Sequence, residues 1–148
     1  MGCDRMMKYS DIGRLILAVF STAGGFIASL FGGWDASIGT LLIFMAADFL
    51  LGVIAAGIFR VSKNTENGGL ESRAGWKGLC RKFGTLLVIL IACRLDILLG
   101  TSYIRDAVVI CYICNECISI LENLALIGVP VPEGIKNALE ILKNKEEK

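Results

Sequence analysis

The sequence predicts an all-α integral membrane protein, with about four transmembrane helices followed by a C-terminal amphipathic helix. Three observations lead there. Hydrophobic residues make up 55% of the 148, and mean hydropathy is +0.66, above what a soluble domain of this size carries. The charged 20% is gathered into a few segments, which leaves long uncharged runs. The stretch from Tyr112 to Ile127 inverts the soluble pattern: Asn115, Glu116, Ser119, Glu122 and Asn123 form one polar stripe on an apolar body. They share a face because helix positions three and four apart stack. Such a helix turns apolar faces to lipid and its stripe to other helices or water.

Residues 1–14 form a polar segment with Arg5, Lys8 and Arg14. Met1-Gly2-Cys3 hints at acylation, but Met6 stands where myristoylation needs Ser or Thr. Residues 15–33 are the first uncharged run. Basic residues before it and small ones after it suit a signal peptide. The run continues apolar through 26–31, past any cleavage site, so an uncleaved span is the preferred reading. Gly25, Ser29 and Gly33 recur every four residues, a spacing that lets two helices approach closely in lipid. A simple kink at Gly24-Gly25 is the alternative. Gly32 to Asp35 makes a turn, with Trp34 at interfacial depth.

Residues 36–59 are the second span, 24 residues and long enough for about 30 Å of hydrocarbon. Its one charge, Asp48, shares a face with Gly52 and Ala56. Residues 60–82 form the long hydrophilic loop; Asn67-Gly68-Gly69 is a flexible turn, and 75–79 is an interfacial lead into the next helix. Residues 83–99 are the third span, short at 17, with Arg94 and Asp96 near its far end on nearly opposite sides. An arginine there can snorkel to the interface. Residues 104–127 are the fourth span, ended by Val129-Pro130-Val131-Pro132. The tail, 128–148, sets Ile135, Ala138, Leu139 and Leu142 opposite its lysines, as an interfacial or partner-binding helix does.

Basic residues give the topology. With four spans, 13 of the 15 fall on one side: three in the N-terminal segment, six in the 60–82 loop, four in the tail. The other side carries Arg105, and Arg94 lies within a span. The positive-inside rule then puts both termini and the loop in the cytoplasm.

Asp48 and Glu116 each lie 12 residues from the outer end of their span, at about 18 Å depth. Acids there cost a few kcal/mol each unless paired or hydrated. They form either a seam lining water in an assembly or a sealed hydrogen-bonded core with Asn115; the core is preferred for any closed state. Arg94 lies roughly 10 Å nearer the outside, so a pair with Asp48 needs its full reach. Cys111, Cys114 and Cys117 spell CxxCxxC, but inside an apolar helix and in a chain with no histidine. Small packing residues are the preferred reading over a metal site, which needs a fourth ligand and a wrapping loop. No metal, cofactor or catalytic residue is expected. There is no nucleophile–base pair and no Gly-rich phosphate loop. A net charge of +1 gives no reason to expect nucleic acid as a partner.

Asn115–Leu124, NECISILENL, resembles the toxin secretion/phage lysis holin family, which includes holins encoded beside large clostridial toxins. Four more pieces match in order: LLIFMAADFLLGVIAA at 41–56, ESRAGWKGLCRKFG at 71–84, LDILLG at 95–100 and GVPVPEGIKNALE at 128–140. Together they cover about the last two thirds of the chain. The resemblance implies a small protein of the bacterial cytoplasmic membrane, in contact with lipid and with copies of itself, which opens a path for an endolysin or a protein toxin. It carries no catalytic residues over. Asp48, Asn115, Glu116 and Glu122 match its polar membrane positions. Cys117, where glycine is more usual, and Arg94 depart from it. Two other functions stay open: a gated small-solute channel or transporter, and a membrane scaffold whose tail recruits a soluble partner.

Overall fold

The computed structural model describes residues 3–65, 67–135 and 137, with side chains from Asp11 onward. Its helices are α1 (Cys3–Leu30), α2 (Ala36–Ile54), α3 (Ser72–Leu99) and α4 (Ile104–Leu126), with no strand among the described residues. A π-helical turn, Ala55–Phe59, closes α2. Residues up to Asp35 form one unit and those from Ala36 a second.

In the first unit, α1 runs unbroken through Gly24-Gly25 and ends at Leu30. Gly32 and Gly33 follow at φ 81° and 106°, backbone that glycine adopts without strain. Gly33 therefore sits in the closing turn, where its N–H donates to Ala28 O at 2.9 Å. Ser29, still in the helix, donates its hydroxyl to Phe26 O at 2.7 Å.

The second unit packs α2, α3 and α4 around Leu41, Ile89 and Val109, one fully buried residue from each helix. Ile38, Met45, Ala92 and Cys93 extend this core. Outward, α3 exposes Phe83, Leu87, Ile91 and Leu95, one every four residues, while α2 exposes Ile43 and Leu50. A soluble domain hides such rows, whereas a bilayer covers them.

Among the described residues, three helices are long and apolar enough to cross a membrane, over Asp11–Leu30, Ala36–Phe59 and Ile104–Leu126. Of the four expected spans, the third is the one that falls short by this measure. α3 has 28 residues, but its apolar run is bounded by Lys82 and interrupted by Arg94 and Asp96. It also starts at Ser72, so residues read as the end of the loop are helical. Most of the expected tail helix lies outside the described residues; within them 133–135 is helical.

The α3–α4 corner explains Asp96. α3 ends on Gly100 in left-handed backbone at φ 65°. The buried Asp96 carboxylate accepts from Thr101 Oγ1 at 2.6 Å, from the Arg105 N–H at 2.8 Å and from the Ile104 N–H at 3.2 Å. Two of those donors are first-turn N–H groups that α4 cannot bond itself. Asp96→Ala is expected to cost about 1–2 kcal/mol, as loss of a helix cap does. Asp96→Asn keeps an acceptor and should cost less. Thermal unfolding in detergent micelles reads the difference, and equal stability of both variants with the parent would remove this role.

Candidate functional site: an ion cluster where three helices meet

The polar stripe of α4 faces α2, α3 and the 60–71 loop. Lys82, on α3, places its ammonium between two carboxylates: Asp48 Oδ2 of α2 at 2.9 Å and Glu116 Oε2 of α4 at 2.5 Å. Asn123 of α4 donates its amide to the other Asp48 oxygen at 3.0 Å. One cation thus serves two anions, and an amide supplies the remaining hydrogen bond. The side chains are mostly buried: Lys82 is 15% exposed, Asp48 16% and Glu116 7%. Low dielectric strengthens such attraction and makes the loss of any partner expensive.

A second contact closes the stripe on the loop side. Lys63 Nζ donates to Glu122 Oε2 at 2.6 Å and to Ser119 Oγ at 3.1 Å. The loop reaches there because Ser62 N–H bonds Gly68 O at 3.0 Å, folding 62–68 back on itself.

The pairings fix direction and register. Asp48 meets Asn123, and Gly52, one turn later, also faces Asn123 at contact distance. Lys82 near Glu116 and Asp96 near Arg105 set α3 antiparallel to α4, while Asp48, which shares Lys82 with Glu116, and Gly52, which lies on Asn123, set α2 parallel to α4. Counting from span ends set Asp48 level with Glu116. Asp48 instead bonds Asn123 directly and reaches Glu116 only through Lys82; those two α4 residues are seven apart, about 10 Å along the helix.

The structure thus brings together Asp48, Glu116, Ser119, Glu122 and Asn123, with Gly52 alongside and Ala56 buried in the π-helical turn. Asn115 is exposed on the edge of a groove of about 720 Å³ between α3 and α4, whose wall includes Thr85, Val88, Tyr112 and Arg81. Arg94 is exposed and Asp96 caps α4, so neither joins the cluster. Gly25, Ser29 and Gly33 belong to the first unit. Cys111 and Cys114 are exposed and Cys117 half-buried; among the described residues no group of ligands is placed to hold a metal ion.

Lys82 and Lys63 were not singled out from sequence. Lys82 carried a usable signal. It lies 17 residues from Leu99, about 25 Å from the outer end, while the acids lie at about 18 Å; the difference is within a lysine's reach. Lys63 carried none, since its place depends on the fold of the loop.

The bacteriophage holin family model matches residues 25–144. An uncharacterized 14.9 kDa protein from the nagH 3' region of Clostridium perfringens is 44% identical over 119 residues, covering 79% of this chain and 84% of that protein. An uncharacterized Listeria monocytogenes protein is 38% identical over 123 residues, 82% of each chain. A Bacillus phage phi105 protein called a probable holin is 34% identical over 105 residues, 70% of this chain and 72% of that one. No solved structure matches the chain.

Proposed function

The chain belongs to the bacteriophage holin family, and from that premise we propose that it oligomerises in the bacterial cytoplasmic membrane and opens a path for an endolysin or a protein toxin. The carrying observation is the ion cluster on α4: helices whose outer faces are apolar keep a charged seam and a polar groove at mid-length. A single subunit has too few helices to enclose a protein-sized path, so copies must assemble around it. The work is membrane opening, without an enzymatic step.

Four crossings fit this reading. If parallel α2 and α4 both span, α3 must return the chain across the same thickness. Its charges are accommodated: Lys82 is paired and Asp96 bonds the start of α4. Both termini and the 60–71 loop are then cytoplasmic, as the charge asymmetry requires. Thiol labelling from outside intact cells, in a cysteine-free background, should reach a cysteine at Ser102 and miss one at Asn67. Labelling at Asn67 would end the four-crossing topology.

Expression in cells loaded with a small dye and a folded reporter protein tests the activity. Release of both supports the holin reading. Loss of ions or dye alone indicates a small-solute channel, and no loss indicates a scaffold. Multimers should appear on cross-linking at high membrane density.

A further inference from the structure

We propose that the groove between α3 and α4 binds an anionic phospholipid of the cytoplasmic leaflet, with its phosphate on Lys77 and Arg81. This rests on the membrane placement above but not on pore opening. The carboxylates that line the groove are engaged by cations from within: Asp48 and Glu116 hold Lys82, and Glu122 holds Lys63. Arg81 lines the groove too, is exposed, and makes no ion pair among the described residues. Lys77 and Arg73, which precede it by four and eight residues on the same helical face, lie outside the groove's lining; both are exposed and make no ion pair among the described residues. The lining itself is charge-balanced, Asp48, Glu116 and Glu122 against Lys63, Lys82 and Arg81, so the positive excess beside the groove comes from Lys77 and Arg73.

The surroundings match the rest of a lipid. Trp76, exposed beside the basic row, is the residue type that settles at headgroup depth. Phe83 and Leu87 continue outward from Trp76 as exposed apolar surface for acyl chains. Thr85 in the groove, whose hydroxyl donates to Arg81 O at 3.3 Å and can still accept, and Asn115 on its edge offer polar groups to the hydroxyl-bearing part of a headgroup. A volume of about 720 Å³ is within the range of small-molecule sites, roughly 300–1,000 Å³. Basic pockets between membrane helices on the cytoplasmic side suit anionic headgroups.

The test uses the full chain with Trp34→Phe, which leaves Trp76 as the sole tryptophan. It is reconstituted in phosphatidylcholine vesicles containing a small, equal fraction of chain-brominated phosphatidylglycerol or chain-brominated phosphatidylcholine. Bromine quenches a tryptophan it touches, so preferential quenching by phosphatidylglycerol reports its enrichment at Trp76. Lys77→Gln and Arg81→Gln should each lower that preference by about fivefold, which corresponds to about 1 kcal/mol per basic residue at an anionic surface. Arg81→Lys should retain most of it, which guards against misfolding as the cause. Thr85→Phe fills the groove and leaves every charge in place; it should abolish the preference. Equal quenching by the two lipids in the parent chain overturns the proposal. Full preference in Thr85→Phe also overturns it, because the attraction is then diffuse. A shift of Trp76 emission on adding inorganic phosphate to pure phosphatidylcholine vesicles assigns the site to free phosphate and overturns the lipid. Protein release, measured on the same variants in cells, reports separately on the holin reading.

Discussion

Replacing Lys82 by Met is expected to destabilise the α2–α3–α4 unit by about 3–5 kcal/mol, the range for removing one partner of a buried ion pair. Methionine keeps the length and apolar stem but leaves Asp48 and Glu116, both mostly buried, without the ammonium between them. Glu116→Gln and Asp48→Asn should each cost less, because Lys82 then keeps one carboxylate and the new amide can still hydrogen-bond. Adding Glu116→Gln to Lys82→Met should recover part of the loss, since one of the stranded charges goes with it. Unfolding by a denaturing detergent gives the stabilities, and time to membrane collapse at equal protein level gives the functional effect. Parent-like stability and timing in Lys82→Met would mean that the cluster holds nothing together.

The next largest effect is expected at Gly68. It sits at φ +67°, and an added Cβ would lie 2.1 Å from Arg60 O and 2.9 Å from Arg60 C. Those are backbone atoms, so relief requires the loop to open. Left-handed strain in a non-glycine residue alone costs about 1–3 kcal/mol. Gly68→Ala should therefore break the Ser62–Gly68 bond and withdraw Lys63 from Glu122 and Ser119. Gly69, next in the chain, has open space around its Cα, so Gly69→Ala is the matched control and should be tolerated. Limited proteolysis of the 60–71 loop in detergent separates them: Gly68→Ala should be cut many times faster than Gly69→Ala. Equal rates would show that the loop does not need its glycine closure.

Family membership and the all-helical character were legible in local patterns. A span is read from a run of apolar residues, and a polar stripe from a spacing of three and four, so neither needs a neighbour to be recognised. Asp48, Glu116, Ser119, Glu122 and Asn123 stood out in this way, and the structure places all five in one site. The same reading gave a third span at 83–99, but α3 is not apolar enough to count as one. Lys82, Arg94 and Asp96 lower its hydropathy, yet Lys82 and Asp96 are held by groups on other segments.

The partners themselves were a tertiary matter. A lysine at the end of an apolar run has two destinations within the same reach, water at the interface or an acid further in, and its own sequence context favours neither. Asp48 and Glu116 decide it, because packing at Leu41, Ile89 and Val109 brings two carboxylates from different helices within reach of one ammonium. The offset of Asp48 between Glu116 and Asn123 has the same origin. Rise per residue measures distance along one helix, while only side-chain packing between helices sets how far one slides past another.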